Sequence, residues 1–372
     1  MKLHSRPRHA DHFPGAEAFS ASLASLAQPL EPFRVLAPDG TVCGPLPKLS
    51  EEQLQELYRW MVFGQHLDQR ALQLQRQGRI GVWGPTRGQE AIQVGLGLAM
   101  EAEDWIFPSY REVVTLCMRG LDLGDLLNYY RGLYWLADPK RTGVYPQQIC
   151  IGDQTLHAVG AGMAFRLQKR AAVAVAVIGD GATSEGDFHE ALNFGGVFCA
   201  QAVVLIQNNH WAISRHWTEQ TASASLAEKA MAHGIPGVLV DGNDPLAVYT
   251  VTRWALDRAR SGQGPTLIEG LTYRLGAHTT ADDPNRYVPP DELNAWRALD
   301  PLIRMRRFLE DRGLWDDTAE TGARQEALAR VDEAMQRAEQ TPMPPAERLF
   351  ETTLATPTRQ LLAQRDELLT DT

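Results

Sequence analysis

The chain has 372 residues, 44% of them hydrophobic, and a formal net charge of −10. That length and composition suit one large globular α/β domain or two ordinary ones. No apolar run approaches the ~20 residues of a membrane span, and an acidic balance with scattered Lys and Arg argues against a general nucleic-acid binder.

Residues 1–30 mix Arg, His and Ser with Asp11 and Glu17 and lack an apolar secretory core, so they read as a flexible arm rather than a targeting peptide. Pro29, Pro32, Pro45, Pro47 and the Pro38-Asp39-Gly40 turn make the remainder of this 1–49 arm extended. Folding proper is expected to begin at Ser50. Ser50-Glu51-Glu52-Gln53 has the capping-box form. Leu54, Leu57, Tyr58, Met61, Leu67 and Leu72 then recur at helical spacing up to a stop at Gly78. Residues 88–100 and 122–136 read as two further helices. Strands are expected over 173–178, 202–206, 237–240 and 266–271, and helices over 187–198 and 246–260, the last entered through the turn at Asp241–Pro245. This alternation predicts an α/β domain over 50–290, with a mainly parallel sheet covered by helices on both faces. From Pro290 the chain reads as a helical C-terminal extension (291–372) packed on the same domain and broken by Pro342, Pro344 and Pro345. Within it, Arg304-Met305-Arg306-Arg307 reads as a solvated helix face or a partner contact. The cysteines, Cys43, Cys117, Cys150 and Cys199, form no CxxC pair. Neither a zinc site nor a disulfide framework is expected, and a reducing cytoplasm fits.

The chemistry concentrates in residues 173–214. One apolar run ends in Gly179-Asp180-Gly181, the other in Gln207-Asn208-Asn209. A strand, a crossover helix and a parallel strand place both strand ends on one sheet edge, where α/β sheets bind ligands. Asp180 and Asn209, about 30 residues apart, are therefore expected to converge. Flanking glycines allow close backbone approach to an anion, and the following helix points its positive end the same way. A carboxylate beside such an end suits magnesium bridging diphosphate oxygens. Asn209 would add an amide oxygen and Trp211 a backbone carbonyl. Read alone, Gly-Asp-Gly is an ordinary turn and Asn-Asn an ordinary loop; in one βαβ unit they are far more specific.

With these residues in view, the block resembles the thiamine-diphosphate motif. The chain as a whole resembles the α subunit of the decarboxylating component of 2-oxoacid dehydrogenase complexes, the pyruvate and branched-chain type. The matching stretches include Arg76-Gln77-Gly78-Arg79, Gly88-Gln89-Glu90-Ala91, Asp104-Trp105-Ile106-Phe107-Pro108-Ser109-Tyr110-Arg111 and the whole 179–214 block. Gly234-Ile235-Pro236-Gly237, Val240-Asp241-Gly242-Asn243-Asp244, Thr272-Tyr273-Arg274, His278 with Asp282-Asp283, and Asp300-Pro301-Leu302-Ile303 follow in the family's order.

The resemblance implies the thiamine-diphosphate-binding fold, with thiamine diphosphate and Mg2+ as cofactors. Asp180, Asn209 and the Trp211 carbonyl would hold the metal. Tyr110 and Arg111 would contact the diphosphate, joined by the backbone amides of Gly181 and Ala182, with Gln207 beside Asn209 and Arg274 facing the same group. Ile149 and Ile151 would lie beside the cofactor, Ile151 propping its rings into a bent form; read alone, an isoleucine pair belongs in a core. His278 would be the catalytic histidine, with a near-neutral pKa at the reacting carbon.

The family's activating glutamate belongs to a second domain that residues beyond Pro290 are too few to form. A separate β subunit is therefore implied, in an α2β2 heterotetramer with the cofactor at the α–β interface. Loops 208–222 and 275–288 would close over the entrance and order on cofactor binding, and the acyl group would pass to the lipoyl arm of the acyltransferase component. Pyruvate is the preferred small 2-oxoacid, with 3-methyl-2-oxobutanoate and acetoin as alternatives. The chain departs from the family at residues 135–146, at Val82 where relatives carry an aromatic residue, and at Thr279 where animal relatives carry a regulatory serine. A non-catalytic scaffold would be expected to lack Asp180, Asn209 or His278, and all three are present. A self-sufficient transketolase-type enzyme is disfavoured by length.

Overall fold

Five apolar runs pair side by side into one wholly parallel sheet in the computed structural model, which describes residues 31–133, 138–351 and 354–370. In chain order its strands and helices are α1 (Glu51–Arg76), α2 (Glu90–Ala99), β1 (Trp105–Phe107), α3 (Val113–Met118), α4 (Leu123–Tyr130), α5 (Pro139–Thr142), α6 (Asp153–Leu167) and β2 (Ala174–Gly179). Then come α7 (Gly186–Phe198), β3 (Ala202–Asn208), the short antiparallel pair β4 (Trp211–Ala212) and β5 (Arg215–His216), β6 (Gly237–Asp241), α8 (Pro245–Arg260) and β7 (Thr266–Leu271). The chain continues through α9 (Pro290–Arg297), α10 (Pro301–Glu310), α11 (Asp317–Gln340), α12 (Arg348–Glu351) and α13 (Arg359–Thr370).

The sheet order is β1-β2-β3-β7-β6. The three central strands are buried along nearly their whole length, as expected where helices cover both faces. Side chains alternate between two cores. Val175, Val177, Val203, Leu205 and Ile268 join the cluster under α1, α2 and α8, whereas Ala176, Ile178, Val204, Ile206 and Leu267 join the one under α6 and α7. Helix α1 starts from the expected capping box, with Ser50 Oγ accepting from Gln53 N–H and the Gln53 side chain accepting from Ser50 N–H. It stops before Gly78, whose φ of +70° suits glycine.

Several elements differ from the sequence expectation. Strand β1 spans three residues, too few for a periodic signal. Helices α3 and α6 were not foreseen: α3 is six residues long, and α6 is built from small residues (AVGAGMA) that blur any apolar face. The helix expected over 122–136 ends at Tyr130, because Gly132 takes a φ of +87°; residues 134–136 of that expectation lie outside the described residues. Residues 33–44, read as part of the arm, are tied into the fold. Phe33 N–H donates to Leu239 O, Asp241 N–H donates back to Phe33 O, and Val35 and Leu36 are fully buried. The Arg304–Arg307 group is not simply a solvated face. Arg304 is buried, with Nη1 3.0 Å from Asp241 Oδ2, while Arg306 pairs with Glu310 and Asp317 on the surface.

Asp244 is the main tie between the 33–36 segment and the sheet. Its carboxylate accepts from the N–H groups of Val35 (2.7 Å), Leu36 (2.6 Å), Leu246 (3.0 Å) and Ala247 (3.1 Å), so it also caps α8. Asp244→Ala leaves four N–H donors without this acceptor. Urea unfolding should show a loss of about 3 kcal/mol, and a loss within the scatter of surface substitutions would mean that water replaces the carboxylate.

Candidate functional site

Strands β2 and β3 are adjacent and in register, with Gly179 opposite Gln207. The residues that follow, Asp180 and Asn209, therefore leave the sheet at the same edge. They line a cavity of about 760 Å³ together with Tyr110, Arg111, Ile149, Ile151, Gly181, Ala182, Gln207, Trp211 and His278. Of the residues singled out from sequence, only Arg274 is not among the lining residues. It lies behind the wall, donating to Trp211 O (3.1 Å), Ile213 O (2.7 Å) and the Tyr287 hydroxyl (2.6 Å). Ile149 and Ile151 are 61% and 41% exposed and belong to the cavity wall rather than to a core.

Asp180 opens a 3-10 turn (Asp180–Ser184) whose first amides have no acceptor within the turn. Its carboxyl accepts from Gln220 Nε2 at 3.1 Å, and burial pushes its pKa up to about 6. A Cβ at Gly181 would sit 2.8 Å from Ala212 Cβ, so a side chain there would force the β4 loop to shift. Asn209 Oδ1 accepts from Trp211 N–H, and its amide donates to Gln89 Oε1. Among the described residues no group of three His, Cys, Asp or Glu side chains could hold a metal. One carboxylate, one amide oxygen and a backbone carbonyl suit a hard cation whose remaining ligands come from an anion and water.

Arg111 is buried and reaches across the cavity wall, donating through Nη1 to Pro85 O (2.6 Å) and through Nη2 to His278 O (3.0 Å). His278 Nδ1 lies 3.3 Å from Arg111 Nη2 and 3.4 Å from Arg274 Nη1. Guanidinium groups only donate, so Nδ1 is the acceptor and the neutral ring carries its proton on Nε2. The near-neutral pKa expected for this histidine is corrected. Burial first, then the positive charges of Arg111 and Arg274, depress it to about 4. Asp282 holds the loop by accepting from His278 N–H (2.7 Å) and the Tyr287 hydroxyl.

Other site residues had no sequence signal of their own. Asp68 is buried in α1 and accepts from Trp83 Nε1, Thr86 N–H and Thr86 Oγ1, folding the loop whose Pro85 carbonyl grips Arg111. Glu112 accepts from Ser109 Oγ and Gln207 Nε2, tying the arginine turn to β3, and burial lifts its pKa to about 7. Gln89 Nε2 and Gln207 Oε1 are buried in lining residues without a hydrogen-bond partner. The only available hint was adjacency, since Gln89 and Glu112 sit inside or beside motifs already singled out.

Residues 58–347 match the family described as "Dehydrogenase E1 component". The chain is 45% identical over 344 residues to the 3-methyl-2-oxobutanoate dehydrogenase subunit alpha of Mycobacterium tuberculosis, covering 91% of this chain and 94% of that protein. It is 43% identical over 324 residues to the pyruvate dehydrogenase E1 component subunit alpha of Bacillus cereus, covering 86% and 87%. Its identity to the pyruvate dehydrogenase E1 component subunit alpha of Staphylococcus aureus is 47% over 300 residues, 80% of each chain.

The depressed pKa of His278 ties stability to pH. Folded, the ring takes up its proton near pH 4, whereas the ordinary value is 6.5. The unfolded chain therefore binds more protons in that interval, and stability falls as pH drops from 6.5 towards 4. His278→Gln should flatten this part of the urea-midpoint profile relative to the wild type. Identical slopes for the two proteins would mean that the ring titrates as in water.

Proposed function

The chain belongs to the dehydrogenase E1 component family, and from that premise we propose that it is the α subunit of a thiamine-diphosphate-dependent 2-oxoacid dehydrogenase, with Mg2+ as its metal. The observation that carries this reading is the convergence of Asp180, Asn209, Arg111 and His278 on one cavity from four separate stretches of chain. The donor set fits the group: a lone carboxylate with two neutral oxygens for the cation, and a buried guanidinium for the anion. When bound, thiamine diphosphate supplies the electron sink for the bond that breaks as carbon dioxide leaves.

The residues divide the remaining work. Asp180, Asn209 and the Trp211 carbonyl would hold Mg2+. Arg111, Tyr110 and the amides of Gly181 and Ala182 would take the diphosphate, Arg111 with the planar fork that suits phosphate oxygens. Gln207 would line the same end, with Arg274 supporting it from behind. Ile149 and Ile151 would exclude water beside the rings, with Ile151 as the prop. His278 would act at the reacting carbon. An anion lodged beside Arg111 and Arg274 offsets the charges that depress its pKa, which returns the ring towards a range useful for moving a proton.

Four apolar residues at the cavity mouth, Val82, Ile149, Ile151 and Ile213, are exposed. Such a rim suits burial by another polypeptide, here the β subunit of an α2β2 assembly, with loops 208–222 and 275–288 ordering as the cofactor binds. The acyl group would then pass to the lipoyl arm of the acyltransferase component in the cytoplasm. Among the described residues no helix is long and apolar enough to cross a membrane. Pyruvate is the preferred substrate on the pattern of Gln207-Asn208-Asn209, Gly152-x-Gln154 and the 282–287 loop. A branched 2-oxoacid stays close behind, because each methylene changes discrimination by only ~1–3 kcal/mol.

Asp180→Ala in the co-purified α–β complex should abolish magnesium-dependent binding of thiamine diphosphate in calorimetry; unchanged affinity would move the site elsewhere. The wild-type complex should release carbon dioxide faster from pyruvate than from 3-methyl-2-oxobutanoate. The reverse order would reassign the substrate, and no turnover of any 2-oxoacid would end the catalytic reading.

A further inference from the structure

Two glutamines one helical turn apart, Gln89 at the N-cap position of α2 and Gln93 within it, are both buried, and Gln89 lines the cavity. We propose that this pair sets the spacing between the two halves of the site, and that Gln89 is itself an anion ligand. Its carboxamide oxygen anchors Asn209, and its free amide N–H groups are donated to a phosphoryl oxygen. This inference rests on the cation and diphosphate reading of the cavity given above.

Trp211 supplies an obligate donor at the strand end. Its backbone N–H points at Asn209 Oδ1 (3.2 Å), which fixes the orientation of that amide. Asn209 Nδ2 then faces Gln89 Oε1 at 3.1 Å, so Gln89 is also oriented, oxygen toward Asn209. What remains is Gln89 Nε2, two N–H donors on a fully buried residue of the cavity wall with no partner in the protein. Buried amide donors are satisfied somewhere, and the anion expected in this cavity presents acceptors only.

Gln93, by contrast, has partners at both amide atoms. Its Nε2 donates to Arg111 O (2.9 Å) and its Oε1 accepts from Val114 N–H (3.1 Å), which pins the turn carrying Arg111. One helix therefore grips the strand end with Asn209 through its first glutamine and the arginine turn through its second. The helix sits tightly on β7, where a Cβ at Gly270 would lie 2.1 Å from Ile92 Cδ1. An ordinary core glutamine would account for burial, but not for an amide oriented on one side and unpartnered on the other.

Gln89→Glu separates the two roles: a carboxylate still accepts from Asn209 but offers no donor to an anion. Gln89→Leu removes both. Binding of thiamine diphosphate with magnesium to the α–β complex is read by calorimetry, with inorganic pyrophosphate as competitor and the melting temperature as the control for folding. Gln89→Glu should raise the Kd for both ligands about tenfold or more, the usual effect of losing a supporting residue at a metal site. The melting temperature of each variant complex without ligand separates lost binding from lost folding. Gln89→Leu should in addition raise the magnesium concentration needed for half-saturation. Unchanged Kd values in both variants, alongside an Asp180→Ala complex that no longer shows metal-dependent binding, would overturn the role of Gln89 and leave the site reading intact. An Asp180→Ala complex that binds normally would overturn both.

Discussion

The parallel pairing of β2 with β3 is the constraint on which the rest of the site depends. Gly179 stands opposite Gln207, so the two chains leave the sheet together, one into the Asp180 turn and the other into Asn209. A slip of one residue would turn each apolar side chain of these strands to the wrong face, and the two cores would both reject it, since Val175 and Val203 fill one and Ala176 and Val204 the other. The hydrophobic pattern that stabilises the sheet thus also fixes the distance between the two groups proposed to share a cation. Function inherits its geometry from packing.

Charge is arranged around that edge with little help from water. Burial lifts the acids of Asp68 and Asp180 to about 6 and that of Glu112 to about 7, and the same burial, with two guanidinium groups, lowers His278 to about 4. These shifts describe a cavity whose wall resists both isolated negative charge and a protonated imidazole. A bound cation and anion together change that balance at each group: the cation favours the Asp180 carboxylate, and the anion offsets Arg111 and Arg274 beside His278. Site residues poised away from their ordinary values fit a pocket organised for charged ligands.

Much of this was legible in the sequence. The four long strands, the capping box at Ser50, the stop at Gly78 and the meeting of Asp180 with Asn209 all follow from periodicity and topology. What escaped did so for physical reasons. Three residues of β1 carry no period, α6 is too rich in Ala and Gly to show a face, and the 33–44 segment is held by a carboxylate far along the chain, at Asp244. Asp68, Gln89 and Glu112 were invisible as site residues because they act through hydrogen bonds to backbone or to other polar side chains, which leave no spacing rule. The pKa of His278 was misjudged because two arginines from distant positions flank it, a fact of tertiary structure alone.

The supporting residues explain why the cavity can be both rigid and incomplete. Its floor is cross-braced: Asp68 fixes the loop that grips Arg111, Glu112 ties the arginine turn to β3, and Gln93 pins the same turn to α2. Its mouth exposes the side chains of Val82, Ile149, Ile151 and Ile213. A site that binds the charged end of a cofactor needs fixed donors, since electrostatic complementarity works only when the dipoles do not have to reorganise. Apolar rings need only a matching surface, and that surface can come from another chain. The division between a braced polar floor and an open rim is therefore the arrangement that the proposed function requires of this polypeptide, which would hold the charged end of the cofactor and leave the rings to be covered by the proposed β subunit.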